Sequence, residues 1–335
     1  MIYSLVLTKQ IVILNKEAKM QEEKHSVARR IIEIFLTVLF VTFLSFLLMR
    51  LSPIDPATAY AKRHTPSPTA EQIAELRVEM GLNKPLIVQY GAWVGDAFSL
   101  DFGESLVNGK DALGEILQVL PFTITVVLVS SILQIIFSVL VSNLMYLGRN
   151  NIGGKLLKIL MLIFVSIPSF YIANSYLNFF AVETSLISVT DNEGFMRYFH
   201  PAICLTIPYV AFYGRLLYTT LAKEMNEDYA YYAQCRGLSE SRILLLHATP
   251  RACFALLPNF MQSVGLTMAG AAFVERIFSL PGLGYLIIES VMHRDSPVVH
   301  LCVLVLALSI AFVGVLADGM QHMLNKKKVR GGVAK

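Results

Sequence analysis

The chain is poor in charged residues and in the residue patterns that carry enzyme chemistry. Only 16% of its 335 residues are charged and it holds a single tryptophan, whereas 55% are hydrophobic. The seven histidines fall mostly at the ends of apolar runs or in loops, without a His-Glu-x-x-His or Gly-x-Ser-x-Gly pattern. No catalytic residue is therefore predicted, and the sequence disfavours an enzyme.

Cysteine and glycine patterns exclude two further kinds of site. The four cysteines, Cys204, Cys235, Cys253 and Cys302, form no Cys-x-x-Cys pair, so they are interpreted as packing residues. The segment 103–110 resembles a phosphate-binding loop only superficially, because five residues separate its glycines and Asp111 replaces the magnesium-binding Ser or Thr. We therefore predict no metal, no cofactor and no bound nucleotide on this chain.

The chain has long apolar runs instead. Mean hydropathy is +0.58, and the formal net charge of +4 comes from basic residues at loops and termini, so a membrane is a better partner than nucleic acid. We predict an all-α polytopic bundle of about six membrane-spanning helices. The predicted spans cover residues 31–51, 116–148, 159–182, 201–221, 252–274 and 297–320.

Details of these spans predict bends, contacts and buried charges. Pro168 should bend the third span, and Pro121 should separate an approach helix from the second. Small residues at 265–272 should let two helices approach closely. Arg215 is expected either to reach the headgroups or to pair inside the bundle. Glu275 is expected to make structural hydrogen bonds or to contact substrate, and Asp318 is a third candidate for a charge that acts in the bundle.

The distribution of basic residues predicts an orientation. Arg149, Lys155, Lys158 and the lysines 326–328 share one side if there are six spans, so both termini are expected in the cytoplasm. The predicted domains are a cytoplasmic tail (1–30), a first span with an extracytoplasmic cap (31–115), a bundle core (116–321) and a basic cytoplasmic tail (322–335). Whether translation starts at Met1 or Met20 stays open.

A polar island interrupts the apolar runs at 222–258. We predict two short helices here, the first capped by Asp228 and ended by a left-handed residue at Gly237. The second should begin at Ser239 and end at Pro250. A charged double helix of this kind indicates a partner outside the membrane.

The island resembles the coupling loop of ATP-binding-cassette (ABC) importer permeases. Tyr231, Tyr232 and Ala233 stand at the positions of that loop's Glu-Ala-Ala signature, and two of the three differ from it. The pairs Asp228-Tyr229, Gly237-Leu238 and His247-Ala248 match the peptide and nickel branch, as do segments at 80–106 and 275–297. By resemblance, the residues that contact the ATPase are Asp228, Tyr229, Tyr231, Tyr232, Ala233, Gly237, Leu238 and His247.

The resemblance implies the type I permease fold and a set of partners. These are a second permease, two cytoplasmic ATPase subunits and an extracytoplasmic binding lipoprotein or periplasmic protein, around a bundle in a bacterial inner membrane. A secondary transporter is the remote alternative, because uncharged spans do not suit coupling ions. The segment after Pro53 and the missing Asp-Pro-Arg ending favour nickel or a nickel chelate as cargo. Dipeptides or oligopeptides are the alternative.

Overall fold

A computed structural model describes residues 29–51, 55–185 and 194–332, with side chains as far as residue 324. Within those ranges the backbone forms helices and turns with no β-strand, apart from one isolated bridge between Glu104 and Asp111. The predicted tail before residue 29, Pro53, and the side chains of the C-terminal lysines lie outside the described residues.

Thirteen α-helices and two π-helical turns make up the described chain. In order they are α1 (Arg29–Arg50), α2 (Pro56–His64), α3 (Ala70–Glu79), α4 (Leu86–Phe98), α5 (Ala112–Leu147), α6 (Ile152–Ser166), α7 (Ser169–Leu177), a π-turn (Asn178–Glu183), α8 (Met196–Glu224), α9 (Asp228–Cys235), α10 (Glu240–Ile243), a second π-turn (Leu244–Ala248), α11 (Thr249–Ile277), α12 (Leu283–His293) and α13 (Ser296–Gly332).

Five of the described helical stretches are long and apolar enough to cross a membrane. They are α1, α5, α8, the stretch from α10 through α11, and α13. The third predicted span, 159–182, is a bent pair, since α6 meets the helix that starts at Ser169 at an angle of 98°. Ile167 and Pro168 have extended backbone there, because proline lacks the N–H that would continue the helix. The predicted bend at Pro168 is confirmed.

Two predictions about other prolines are wrong. Pro250 does not end the second short helix, because α10 continues through the second π-turn into α11. The wider turn just before Pro250 makes room for its ring. Pro121 lies inside α5, so the expected approach helix and the second span are one helix.

Three helices, α5, α8 and α11, are joined at the centre of the bundle by uncharged polar side chains. Gln134 on α5 donates to Thr267 on α11 over 3.0 Å and accepts from Ser263 over 3.1 Å. Ser130, one turn before Gln134, lies 3.1 Å from the hydroxyl of Thr206 on α8. Such bonds satisfy polar groups that lipid cannot satisfy, so they hold the three helices together.

Small residues bring α11 close to its neighbours, as the sequence predicted. A side chain at Gly265 would lie 3.5 Å from Ile310 on α13, and one at Gly284 would lie 2.8 Å from the Cβ of Ala272. The first contact tolerates a methyl group and the second does not. Close packing of α12 on α11 therefore depends on glycine at position 284.

The cysteines divide between two environments. Cys204 and Cys302 are buried in the core, and Cys253 is partly buried against the apolar residues below α9. Cys235 is exposed at the end of α9, so its interpretation as a packing residue is wrong. Its position on a polar island explains the difference, because α9 has an outward face.

The segment between α1 and α5 begins with α2 and α3. Asp55 begins α2 by accepting from the amide of Thr58 and ties α3 to it through Arg77, 2.5 Å away. Partial burial acts to raise the pKa of Asp55, but the hydrogen bonds from Thr58 and Arg77 outweigh it and hold that pKa below its usual value. These bonds give the segment a defined fold.

Candidate functional site

The polar island rests on an apolar base that we call the coupling base. It consists of the buried residues Tyr146, Leu217, Leu221, Met225, Ala230, Ile243, Leu244, Ala248 and Ala252. They come from α5, from the last turns of α8, and from the two short helices and the start of α11. The residue of α9 in this base therefore packs in one cluster with side chains from three long helices of the bundle.

The start of α9 differs from the prediction. Glu227, not Asp228, is the capping residue, with extended backbone at φ −76° and ψ 154° and no side-chain bond to a helix amide. Asp228 is the first helical residue and is exposed. The predicted capping role of Asp228 is wrong, although its carboxylate still lies beside the positive end of the helix dipole.

The end of α9 matches the prediction. Gly237 has a φ of +82°, its N–H donates to Gln234, and the N–H of Leu238 donates to Ala233. This pair of bonds is the Schellman motif, which closes the last turn of a helix. Ser239, in extended backbone, then precedes α10 as predicted. The connection between the two helices is consequently short and fully hydrogen-bonded at its turn.

The outward face of the island carries most of the residues that the resemblance selects. Tyr231 and Tyr232 are each 65% exposed, with their rings edge to face at 6.1 Å. Asp228 and His247 are exposed as well. Two neighbouring tyrosines held out from a fixed helix form an amphipathic surface of the kind that protein partners bind.

Three other predicted residues point toward the coupling base. Ala233 and Leu238 are half-buried against it. Tyr229 donates its hydroxyl to Glu224 over 3.0 Å, and its ring lies 4.0 Å from the guanidinium carbon of Arg251. Burial and the adjacent Glu224 carboxylate raise the pKa of Tyr229 to about 12. These three residues hold α9 in place and do not form its outer surface.

One ion pair at the island was not anticipated from the sequence. Arg149, just after α5, lies 2.5 Å from Glu240 at the start of α10, and its guanidinium stacks 4.3 Å from the ring centroid of Tyr146. The charges are separated by ninety-one positions, so no local spacing could pair them. The pair fastens α10 to the end of α5.

The three charged bundle candidates lie apart from one another. Arg215 is exposed on α8 and has no hydrogen-bond or ion-pair partner in the described part of the chain, in keeping with a side chain that reaches the headgroups. Asp318 on α13 pairs with Arg30 on α1. Glu275 is fully buried near the end of α11.

Glu275 begins the following helix. Its Oε2 accepts from the backbone amides of Gly284 at 2.8 Å and Tyr285 at 3.2 Å, which are free donors in the first turn of α12. A side chain at Gly282 would lie 2.5 Å from the Glu275 carboxyl carbon, so glycine leaves the space that this carboxyl occupies. The arrangement favours the structural interpretation of Glu275.

Asp295, between α12 and α13, makes a second contact of this kind that sequence reasoning missed. It is buried, and it accepts from the hydroxyl of Ser105 at 2.5 Å and from the amide of Leu106 at 3.0 Å. Arg63 on α2 also donates to the carbonyl of His293. The segment between α1 and α5 is thus attached to the turn after α12.

Two protein families match this chain over nearly its whole length. The family described as "Binding-protein-dependent transport system inner membrane component" matches residues 138–330, and the N-terminal family of such membrane components matches residues 25–127.

Curated relatives align over most of their own length. The metal-staphylopine import system permease protein CntB of Staphylococcus aureus is 29% identical over 306 residues, which cover 91% of this chain and 98% of the relative. A putative peptide transport system permease protein of Brucella abortus is 30% identical, covering 87% and 95%. The glutathione transport system permease protein GsiC of Salmonella paratyphi A is 27% identical, covering 89% and 97%.

Proposed function

The chain belongs to the family of inner-membrane components of binding-protein-dependent transport systems, and from this premise we propose that its cargo is nickel or a nickel chelate. It is a multi-pass membrane protein and an ABC importer permease, with a transport function and not an enzymatic one. The observation that carries the cargo proposal is the alignment with the metal-staphylopine permease over 91% of the chain.

We further propose that α9 and α10 seat in a cleft of a separate ATPase subunit on the cytoplasmic side. The exposed tyrosines 231 and 232 supply the contact, and the Schellman turn at Gly237 keeps the two helices at a constant angle. A stiff element transmits a displacement that a flexible loop would absorb. Both termini are then cytoplasmic, and the segment with α2 and α3 faces outward, where a binding protein delivers cargo.

The coupling base supplies the route by which the displacement reaches the bundle. Leu217 and Leu221 lie on α8, Tyr146 on α5 and Ala252 on α11. Further along, Gln134 joins α5 to α11 and Ser130 joins α5 to α8. Movement of α9 therefore displaces these helices as a unit. With a second permease opposite, such a displacement alternates access between the two sides of the membrane.

Peptide import is the second candidate, because the Brucella relative carries that description. The permease architecture serves either cargo, since an extracytoplasmic binding protein would select what is delivered.

Domain boundaries at about residues 31, 116 and 322 follow from the same proposal. The bundle core would be shared by both kinds of importer.

Uptake assays separate the two candidates. Radiolabelled nickel, free or chelated, and a labelled dipeptide are offered to cells with and without the gene, energised or depleted of ATP. We expect loss of energised nickel uptake alone when the gene is absent. Loss of dipeptide uptake alone would overturn the nickel proposal and leave the permease assignment in place.

A further inference from the structure

The helix α4 has three distinct faces. Tyr90, Trp93 and Ala97 turn toward the bundle, where Tyr90 is buried. On a second face Asp96 is exposed, and Gln89, seven residues before it, is half-buried and donates its amide to the carbonyls of Leu82 and Lys84. The third face, which we call the outer face of α4, carries Ile87, Gly91, Val94 and Phe98 at helical spacing. It contains no charged residue.

The outer face of α4 is exposed although it is apolar. Ile87 is 65% exposed and Phe98 79%, Gly91 is exposed and Val94 is half-buried. A helix with one apolar face against its own bundle and another left open needs a further apolar environment. A polar strip between the two faces is typical of a helix that lies in a membrane interface.

Contacts with α1 give the depth of α4. The Tyr90 hydroxyl donates to the carbonyl of Leu39 over 2.8 Å and lies 2.9 Å from the hydroxyl of Thr42. Leu39 stands near the middle of α1, roughly 16 Å from Arg50 at 1.5 Å of rise per residue. Trp93 packs edge to face on Phe46 at 5.3 Å, also below the end of α1.

The contact of α4 with α13, its other neighbour, lies at the same depth. His300 lies in the second turn of α13, bonds to Ser45 on α1 over 2.9 Å, and lies 6.1 Å from the Trp93 ring centroid. Hydrocarbon is about 30 Å thick, so a helix packed at this level of two spanning helices is inside or at the edge of the bilayer. The exposed apolar face of α1, with Phe40, Leu44 and Leu48, lies at the same level.

From depth, face composition and continuity with the spanning surface, we propose that α4 is a membrane-interface helix. In the orientation proposed above, its outer face packs on the acyl chains of the outer leaflet, and exposed Asp96 turns toward the headgroups and water. The extramembrane segment would then consist of α2, α3 and the loop at 99–111. The helix α4 would set the height at which that segment stands above the bilayer.

Tryptophan fluorescence tests the proposal in the full chain reconstituted into vesicles. Trp93 is the only tryptophan, so W93F provides a background for single reporters. F98W places a reporter on the outer face, and V78W places a matched one on α3, where Val78 is 61% exposed. Quenchers are lipids brominated on their acyl chains and iodide in the water.

We expect several-fold stronger quenching of F98W by brominated lipid than of V78W, and the reverse order with iodide. Iodide quenching of F98W would overturn the proposal, since the outer face would then be in water. Protection from both quenchers would also overturn it, because a protein would then cover the face.

The unmutated chain provides a second measurement that needs no substitution to fold. Trp93 itself should be quenched more by lipid brominated near the headgroup than by lipid brominated near the chain terminus. Stronger quenching of Trp93 by iodide than by either brominated lipid would place α4 outside the bilayer and contradict the proposal.

Discussion

Two short helices flank α11 and are held in opposite ways. The helix α9, which α10 joins to α11, rests on apolar residues and carries two exposed tyrosines, and a half-exposed ion pair between Arg149 and Glu240 holds α10 beside it. The helix α12 follows α11 and is held by buried carboxylates, Glu275 at its start and Asp295 after its end. Burying a carboxylate is costly unless it is hydrogen-bonded, so the bonds to Oε2 of Glu275 and to Asp295 favour this position of α12, although Oε1 of Glu275 has no partner among the described residues.

The difference indicates separate tasks for the two helices. The attachment of α9 is mainly apolar, with one hydrogen bond from Tyr229 to Glu224, and leaves its outer surface open. Such an attachment suits the proposed role of binding a partner and transmitting movement. The attachment of α12 depends on individual hydrogen bonds and on the absence of side chains at Gly282 and Gly284. We expect substitutions at α12 to reduce stability and substitutions on the surface of α9 to reduce coupling.

The largest effect is expected for Glu275→Ala. Two backbone amides at the start of α12 would lose their acceptor, at about 1–3 kcal/mol for each buried unsatisfied group. Thermal unfolding in detergent should show a markedly lower midpoint. Gly282→Ala should also destabilise the protein, because its new methyl group meets the Glu275 carboxyl. The double variant should lose less stability than the sum of the losses in the two single variants. Additive losses would contradict the contact between these two residues.

A smaller effect, on binding and not on folding, is expected for Tyr231→Ala. The side chain is exposed, so the free energy of unfolding should change by no more than about 0.5 kcal/mol. Loss of an aromatic contact residue should weaken binding of the ATPase subunit by about 2 kcal/mol, or roughly thirtyfold. Co-purification and ATPase titration measure this. Tyr171→Ala, at an equally open position on α7, is the matched control, and an equal loss there would refute a specific role for Tyr231.

Next comes Gly237→Val, which strains the turn between α9 and α10. A β-branched residue at φ +82° costs roughly 1–2 kcal/mol, although the space beside Gly237 is open. We expect ATP hydrolysis to continue while its stimulation by cargo and transport itself fall. Gly81→Val introduces the same strain at φ +65° in the segment between α3 and α4 and should leave coupling intact. Normal stimulation of ATP hydrolysis by cargo in Gly237→Val would contradict the proposal that a stiff turn is needed for coupling.

The smallest effect is expected for Arg149→Gln. Its pair with Glu240 is partly exposed, and such pairs contribute about 0–1 kcal/mol and weaken with salt. The difference between the unfolding midpoints at low and high salt should be smaller in this variant than in the wild type. Lys155→Gln removes a charge that has no ion-pair partner among the described residues and should keep the wild-type salt dependence. A loss as large as that of Glu275→Ala would show that α9 and α12 are attached alike.

Local chemistry predicted much of the coupling region. Gly237 and Ser239 were placed correctly because a left-handed C-terminal residue and a helix start are decided by a few adjacent residues. Asp228 and Pro250 were placed wrongly because a neighbouring residue could serve as the cap and a π-turn could accommodate the proline. Which residue caps α9, and whether the helix ends or continues at Pro250, depends on how the coupling base packs.

The amino-acid sequence alone determined the all-α membrane bundle, the number of apolar stretches and the location of the polar island, because these follow from hydropathy and from short-range spacing. Tertiary structure alone decided that Tyr229 faces inward while Tyr231 faces outward, that Glu275 caps α12, and that Asp295 holds Ser105. Each of these depends on groups brought together by packing, and the two partners of Asp295 lie about 190 positions away. Such distances in sequence carry no local signal, and only the folded bundle joins them.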